Sequence, residues 1–580
     1  MKLKMNSVFL LLSSSMLLSG CVGDMKANVV LAERDDQFTI TTDLESEKQI
    51  HTAEQATYLS YSGEYLTIPE ASYPDGQRHI SDPNPVNLAW NFTPASGKRV
   101  TRYDVVIGKD ASLIDGYTVK GTASTSLDIY NSYLGDNYFK VVANYSDGTK
   151  DESAIKKYKV EDVYPRNLKI DGMTNCRDMG GGRTLIDGGT IKQGLIFRTS
   201  STNGWGNGRA VVSDTITDGG KTELLGHLDC KTEINVNNGG NTNYIGIENF
   251  VSANMWYDGG KHHLYRNAEP IKKVFHTLSD ANNYPVFYHC RIGTDRTGLC
   301  AILISGLLGV PENLIYQDYL FSNFGNIQEK RYIGDKAGRD NILNYINDLK
   351  AFPGELFQNK VYNYLLSIGV PASELNSVID ILTEGNKAQG NDNYQELVLA
   401  ENFTGDGIDA KTSASAAHPS TYYTLEADKS VTAYVNAKYS GDSKLVAYLG
   451  STNSSSTKKI AEAIKADVDG SEVEISEELT FASCGFGQGD SRTYYSAVVL
   501  GNIYVSEGEN AITITGIQDD LNIGAISVIP EGTVTPEGDG GNSGTQKGCF
   551  GSITAATSLI ALIAFASAGV LLFKRKEERE

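Results

Sequence analysis

The residues of this chain best placed to do chemistry lie between His289 and Gly298, where Cys290 is followed after five residues by Arg296. An apolar run at 286–288 precedes them and an apolar, helix-forming run at 299–308 follows, so the stretch reads as strand, loop and helix start. A loop closing onto a helix N-terminus turns successive backbone N–H groups inward, where they and the helix dipole favour a dianion and a thiolate. In that setting Cys290 is a nucleophile with a depressed pKa. The planar fork of Arg296 can hold two oxygens of a phosphoryl group through its transition state, with Arg291, Ile292, Gly293, Thr294 and Asp295 completing the cradle. Gly293 and Gly298 permit the tight path, His289 flanks the thiol, and Thr297 stands where its hydroxyl reaches a thiolate or a leaving sulfur. A lone cysteine before a helix is ordinarily a small buried hydrophobe; these neighbours together reverse that reading.

The stretch His289-Cys290-Arg291-Ile292-Gly293-Thr294-Asp295-Arg296-Thr297-Gly298 resembles the cysteine-phosphatase signature in the form seen in bacterial tyrosine-phosphatase-family proteins, where an Asp precedes the loop Arg. Asn175-Cys176-Arg177-Asp178-Met179-Gly180-Gly181, followed by Gly194 and Arg198-Thr199-Ser200, resembles that family's N-terminal block. Gln317-Asp318-Tyr319-Leu320-Phe321-Ser322-Asn323 resembles its downstream block, so the resemblance covers roughly 165–385. It implies hydrolysis of a phosphomonoester in two steps, with no metal or other cofactor: Cys290 forms a cysteinyl phosphate and water releases it. An acid must protonate the leaving oxygen and then act as base on that water. Asp295, inside the loop, is the first candidate. Asp258, in Trp256-Tyr257-Asp258-Gly259-Gly260 and 32 residues before Cys290, is the second. The bland alternative for Asp295 is pairing with a nearby cation or the loop amides. Arg177, Asp178 and Arg198 are expected to tie the first strand and turn to the catalytic loop by charge-paired hydrogen bonds. Two departures from the family pattern stand out. Thr294 replaces a frequent Lys, which weakens the case for highly phosphorylated lipids or inositols, although Arg291 partly restores basicity. Ile234-Asn235-Val236-Asn237 replaces a strand end that carries a carboxylate.

The elements around the loop suggest an α/β region at 163–390, with helices at 268–278, 299–308, 312–321, 340–349, 355–368 and 372–383 and strands at 195–198, 232–236 and 286–288. Short alternating strands at 86–90, 101–107, 126–130 and 138–143 indicate a β-sandwich at 84–162 that resembles a fibronectin type III domain and is read as a spacer. Residues 22–83 are polar and turn-rich, a stalk or irregular β region. Strands at 431–437, 444–449, 509–515 and 523–529 place a second sandwich at 391–531, similar in pattern to a carbohydrate-binding jelly roll. There Tyr422, Tyr423, Tyr494 and Tyr495 are candidates for stacking on sugars, against the ordinary role of tyrosine in strands. The fold class is therefore multidomain: an α/β cysteine-phosphatase region flanked by two all-β sandwiches, plus a C-terminal transmembrane helix.

Targeting patterns occupy both ends. Lys2 and Lys4 and an apolar run at 8–18 make 1–21 an export signal, and its end, Leu18-Ser19-Gly20-Cys21, resembles a bacterial lipobox, which implies lipidation at Cys21. After a tether at 532–551 containing Gly, Pro and Ser, the 22 uncharged residues 552–573 are long enough to span a bilayer. The basic start of 574–580 places that tail in the cytoplasm and everything before the span at the cell surface. A net charge of −20 argues against nucleic acid. Seven cysteines are too few for a disulfide scaffold and show no zinc spacing, and a catalytic thiol outside the cell is exposed to oxidation. The reading is a membrane-anchored bacterial surface phosphatase acting on a phosphorylated protein or small phosphomonoester, phosphotyrosine-like, with phosphoinositides or phosphosugars as alternatives. A second reading, from another class, is an adhesin that binds cell-wall or host glycans through 391–531 and carries a vestigial phosphatase region. Intact Cys290, Asp295 and Arg296 favour catalysis.

Overall fold

The computed structural model describes residues 37–530, apart from 207–210, 257–262, 335–341, 351, 353–355, 386–395, 413–420, 438–439, 453–455, 487–494 and 519–520. The expected strand, loop and helix stand at the middle of a six-stranded sheet. In spatial order its strands are Asn249–Ser252, Thr232–Asn235, Val286–His289, Ile196–Thr199, Arg177–Asp178 and Arg166–Asn167. The first four are parallel, Arg177–Asp178 runs against them, and Arg166–Asn167 pairs antiparallel with Arg177–Asp178. Val286–His289 is buried throughout, and a parallel strand covered on both faces reads as a continuous apolar run rather than an alternating one. His289 is in register with Asn235 on one side and Thr199 on the other, so three strand ends converge where Cys290 begins the loop, the usual ligand position of an open α/β sheet.

Helix Asp295–Leu307 leaves that loop with every residue from Arg296 onward buried. A helix apolar all round belongs at the centre of a core, and helices Ala268–Leu278, Glu312–Phe321, Ile342–Lys350, Phe357–Ser367 and Ala372–Leu382 share one apolar cluster with it. The structure starts this helix at Asp295, four residues before the expected apolar run, because the polar first turn is the part that faces the loop.

The first sandwich pairs a sheet of Phe38–Ile40, Val86–Phe92 and Ser126–Ile129 with a sheet of Tyr117–Lys120, Val100–Gly108, Gly135–Tyr145, Lys150–Glu152 and Lys156–Val160. Trp90, Tyr103, Phe139 and Tyr158 fill its core. One expectation needs correction. Within 22–83 the described residues are no stalk: 38–40 supply an edge strand of the sandwich, and Tyr58, Tyr65, Ile68 and Tyr73 belong to the α/β core. Their burial is carried by tyrosine rings whose hydroxyls find partners, which aliphatic periodicity does not register. Tyr58 donates to the Gln317 carbonyl at 2.8 Å, Tyr65 donates to the Tyr58 carbonyl at 2.9 Å, and Gln317 donates to the Tyr65 hydroxyl at 2.8 Å.

The first sandwich is joined to the α/β region through buried polar bonds. Arg166 donates to the main-chain carbonyls of Asn131 at 2.6 Å and Ser132 at 3.0 Å while pairing with Asp178 at 2.9 Å. The Gln193 amide both accepts from and donates to the Leu134 backbone, at 2.8 and 3.0 Å.

The second sandwich has one sheet built on Thr421–Leu425, Leu521–Pro530, Gly441–Ser451 and Ser496–Val505, and another built on Ser430–Ala437, Gly508–Gly516 and Ile464–Val468. The two enclose a separate apolar core. Tyr423 and Tyr495 are buried in the sandwich and offer no ring to a sugar, whereas Tyr494 lies outside the described residues. The proposed lipidation site Cys21, the export signal and the span at 552–573 also lie outside them. Among the described residues no helix is long and apolar enough to cross a membrane.

Candidate active site

Cys290 is 2% exposed at the floor of the loop. Gly293 has a φ of 71°, and a Cβ there would stand 2.5 Å from the Thr199 carbonyl oxygen, so the loop closes this tightly only with glycine. Arg296 and Thr297 fall in the first turn of the helix, whose dipole favours an anion. Burial pushes the Cys290 thiol up, but the Arg296 charge and the Thr297 hydroxyl and amide outweigh it, against a smaller opposing push from Asp295. The thiol ends below its ordinary value. Burial without such neighbours does the reverse. Cys176, Cys230, Cys300 and Cys484 are free and buried, and desolvation raises all four thiols, that of Cys484 to about 12.

His289 seats the nucleophile from behind. Its Nδ1 lies 2.9 Å from the Cys290 carbonyl oxygen and its Nε2 lies 2.9 Å from Glu233 Oε1, with both side chains fully buried. Burial lowers the pKa of the ring, but the Glu233 carboxylate and the Cys290 carbonyl outweigh that and raise it. As an imidazolium it donates from both nitrogens. Glu233 is a residue that the sequence reading missed. It lies directly before the altered Ile234–Asn237 stretch, and an acid inside a strand that is buried at every position was the available signal.

A set of charges pins the loop from the side. Asp318 accepts from Arg177 Nε at 2.8 Å, from Arg198 Nη1 and from the Tyr164 hydroxyl. Arg198 Nη2 continues to the Gly293 carbonyl at 2.8 Å. Burial opposes the charge on Asp318, yet Arg177 and Arg198 outweigh it and hold the carboxyl well below its usual range. Arg198 thus ties to the loop directly, and Arg177 does so through Asp318. Asp178 corrects the expectation: it faces the other way, pairing with Arg166 and accepting from the Gly180 and Gly194 amides at 2.8 and 2.6 Å. Successive residues of a strand point to opposite faces, so Arg177 serves the loop and Asp178 the junction with the first sandwich. The direct tie that the sequence reading left unassigned is Asn175, whose Nδ2 donates to the Ile292 and Gly293 carbonyls at 3.2 and 3.0 Å.

Of the remaining candidates, Arg291 is exposed, Thr294 is fully buried and Ile292 packs on Ile327. Asp295 is clasped by Arg331, with Nε to Oδ1 at 3.0 Å and Nη2 to Oδ2 at 3.2 Å. This is the cation pairing held open as its bland alternative. Asp258 lies outside the described residues.

The geometry is that of an open α/β sheet with a cysteine loop at its strand ends. In agreement with it, residues 249–377 match the model of the tyrosine phosphatase family. The matched span holds the cysteine loop and the downstream block, while the Asn175–Arg198 block precedes it. No curated protein matches the chain. Solved structures similar to part of it include a family 35 carbohydrate-binding module from Clostridium thermocellum, at 19% identity over 24% of this chain and 98% of that one, with a TM-score of 0.19. Another is the C-terminal family 6 module of a laminarinase from Zobellia galactanivorans, at 13% identity over 23% and 99%, with a TM-score of 0.18. A third is a mannanase from Podospora anserina, at 18% identity over 25% of this chain and 29% of the enzyme, with a TM-score of 0.19.

Proposed function

We propose that the chain is a cysteine-dependent phosphatase that hydrolyses phosphomonoesters through a cysteinyl-phosphate intermediate. The observation that carries this reading is the contrast among five buried thiols: only that of Cys290 is lowered, and it is the one that opens a glycine-closed loop onto a helix N-terminus, beside Arg296 and Thr297. In the first step the thiolate attacks phosphorus while the bond to the leaving oxygen breaks and that oxygen takes up a proton. In the second, water attacks phosphorus, the P–S bond breaks and the thiolate is restored. Arg296 and the loop amides hold the equatorial oxygens throughout, and the proton falls to Asp258 or to Asp295, the latter clasped by Arg331 in this structure.

The reading extends to a phosphotyrosine-like ester on a protein or small molecule, and to action at the outer face of a membrane; the latter rests on the sequence at 1–21 and 552–576. The test is hydrolysis of an aryl phosphate by the purified chain under reducing conditions, beside Cys290→Ser. Loss of at least about a thousandfold in the variant is expected from removing a nucleophile. Equal rates in the two proteins would end the proposal.

A further inference from the structure

The Arg331 fork reaches Asp295 from a loop that runs from the end of helix Glu312–Phe321 through residues 322–331. That loop is fastened at two levels. Asn323 accepts from the Arg331 amide at 2.7 Å and donates to its carbonyl at 3.1 Å. Residues 70–80 then grip the loop from outside: the Gly76 amide donates to the Asn323 carbonyl at 3.1 Å, Ile327 donates to the Gly76 carbonyl at 2.7 Å, and Ile80 donates to the Phe324 carbonyl at 2.9 Å. Lys330 Nζ reaches the Glu70 and Tyr73 carbonyls at 2.6 and 2.9 Å. A Cβ on Gly76 would lie 2.8 Å from the Glu329 carbonyl oxygen, so the two strips of chain touch backbone to backbone.

We propose that Arg331 is a positioning residue that acts through Asp295, holding its carboxylate away from the oxyanion cradle, and that residues 70–80, before the first sandwich, set Arg331 in place. The inference rests on reading 290–298 as an oxyanion cradle. Both oxygens of Asp295 are occupied by one fork, and a carboxylate released from it competes for the donors of its own loop. Asp295 and Arg296 both act on the Cys290 thiol, with opposite sign, and Arg296 is a group that a phosphoryl dianion needs. The other charged groups around this point are Glu329, which shares the Arg331 fork at 3.1 Å, the Cys290 thiol, and the His289–Glu233 pair behind the loop.

The test is a double-mutant cycle read by calorimetric binding of tungstate, a non-reacting oxyanion, to the full chain, with aryl phosphate KM and kcat measured in parallel. Arg331→Met is expected to weaken tungstate about fivefold and raise KM more than it lowers kcat, and in an Asp295→Asn background the same change should cost less than about twofold. Gly76→Val, which presses on the 327–331 strip without touching the site, should weaken tungstate in the same direction. An equal loss from Arg331→Met in both backgrounds would mean that Arg331 acts by its own charge, and no loss in either would mean that it does not act on the cradle; both overturn the proposal. Because tungstate binding needs no turnover, a chain that binds it with the predicted coupling but hydrolyses no ester would count against the phosphatase reading alone.

Discussion

Asp318 and Asp295 flank the same loop, and each is held by arginine, yet they do different work. Asp318 is buried and accepts from Arg177, Arg198 and Tyr164 together. Asp295 keeps 15% of its side chain exposed and is clasped by Arg331. A buried charge is tolerable only when its donors are all in place, so removing one member strands the others. Asp295, nearer the rim, is held by one fork, and its release leaves the Arg331 guanidinium with a second carboxylate, that of Glu329. Asp318 is therefore a pin that fixes loop geometry, whereas Asp295 is a part whose setting can be changed.

Replacing Asp318 by Asn should have the largest effect, because two buried guanidinium groups lose their carboxylate. A loss of about 3–5 kcal/mol in urea unfolding is expected, with aryl phosphate hydrolysis abolished; a loss below about 1 kcal/mol would erase the distinction between the two aspartates. Acid should sharpen it. Because the Asp318 carboxyl is held below its ordinary value of 3.8, its contribution is fully present above that value and is lost as pH falls through the folded-state value. The urea midpoint of the native chain should fall from about pH 5 to about pH 2, and Asp318→Asn should flatten that slope.

Glu233→Gln comes next. It removes the carboxylate that raises the His289 pKa, so the pH at which iodoacetamide half-alkylates Cys290 should rise, with hydrolysis near neutrality slowed about tenfold. An unchanged alkylation profile would exclude His289 from tuning the thiol. The smallest effect is expected at the rim: Asp295→Asn, which leaves Arg331 its bond to Glu329, should cost about 1–2 kcal/mol in the same urea measurement, less than Asp318→Asn.

The sequence made the strand–loop–helix at 286–307 legible because nucleophile, glycines and arginine lie within ten residues, and a contiguous stretch carries its own geometry. Arg198 was legible as a support for the same reason, lying in a recognisable block. Asp178 was misassigned because the next residue on a strand faces the opposite side, and a motif written as a string does not say which face each letter takes. Arg331 and Glu233 were invisible as partners since their contacts, to Asp295 and His289, cross 36 and 56 residues. The packing of 53–73 was missed because it is made by tyrosines, which score as polar in an aliphatic count and yet bury when their hydroxyls are satisfied.

The bond from Tyr58 to the Gln317 carbonyl joins residues 259 positions apart, and this sets an order in time. As the chain is synthesised, the segment around Tyr58 emerges first and waits, its rings without their final neighbours, until helix 312–321 has been made. Contacts of such separation are slow to form and leave apolar surface open meanwhile. A shortened chain beginning at residue 163 would never close that bond. It would carry the cysteine loop intact and lack the inner wall against which the helix behind it is packed.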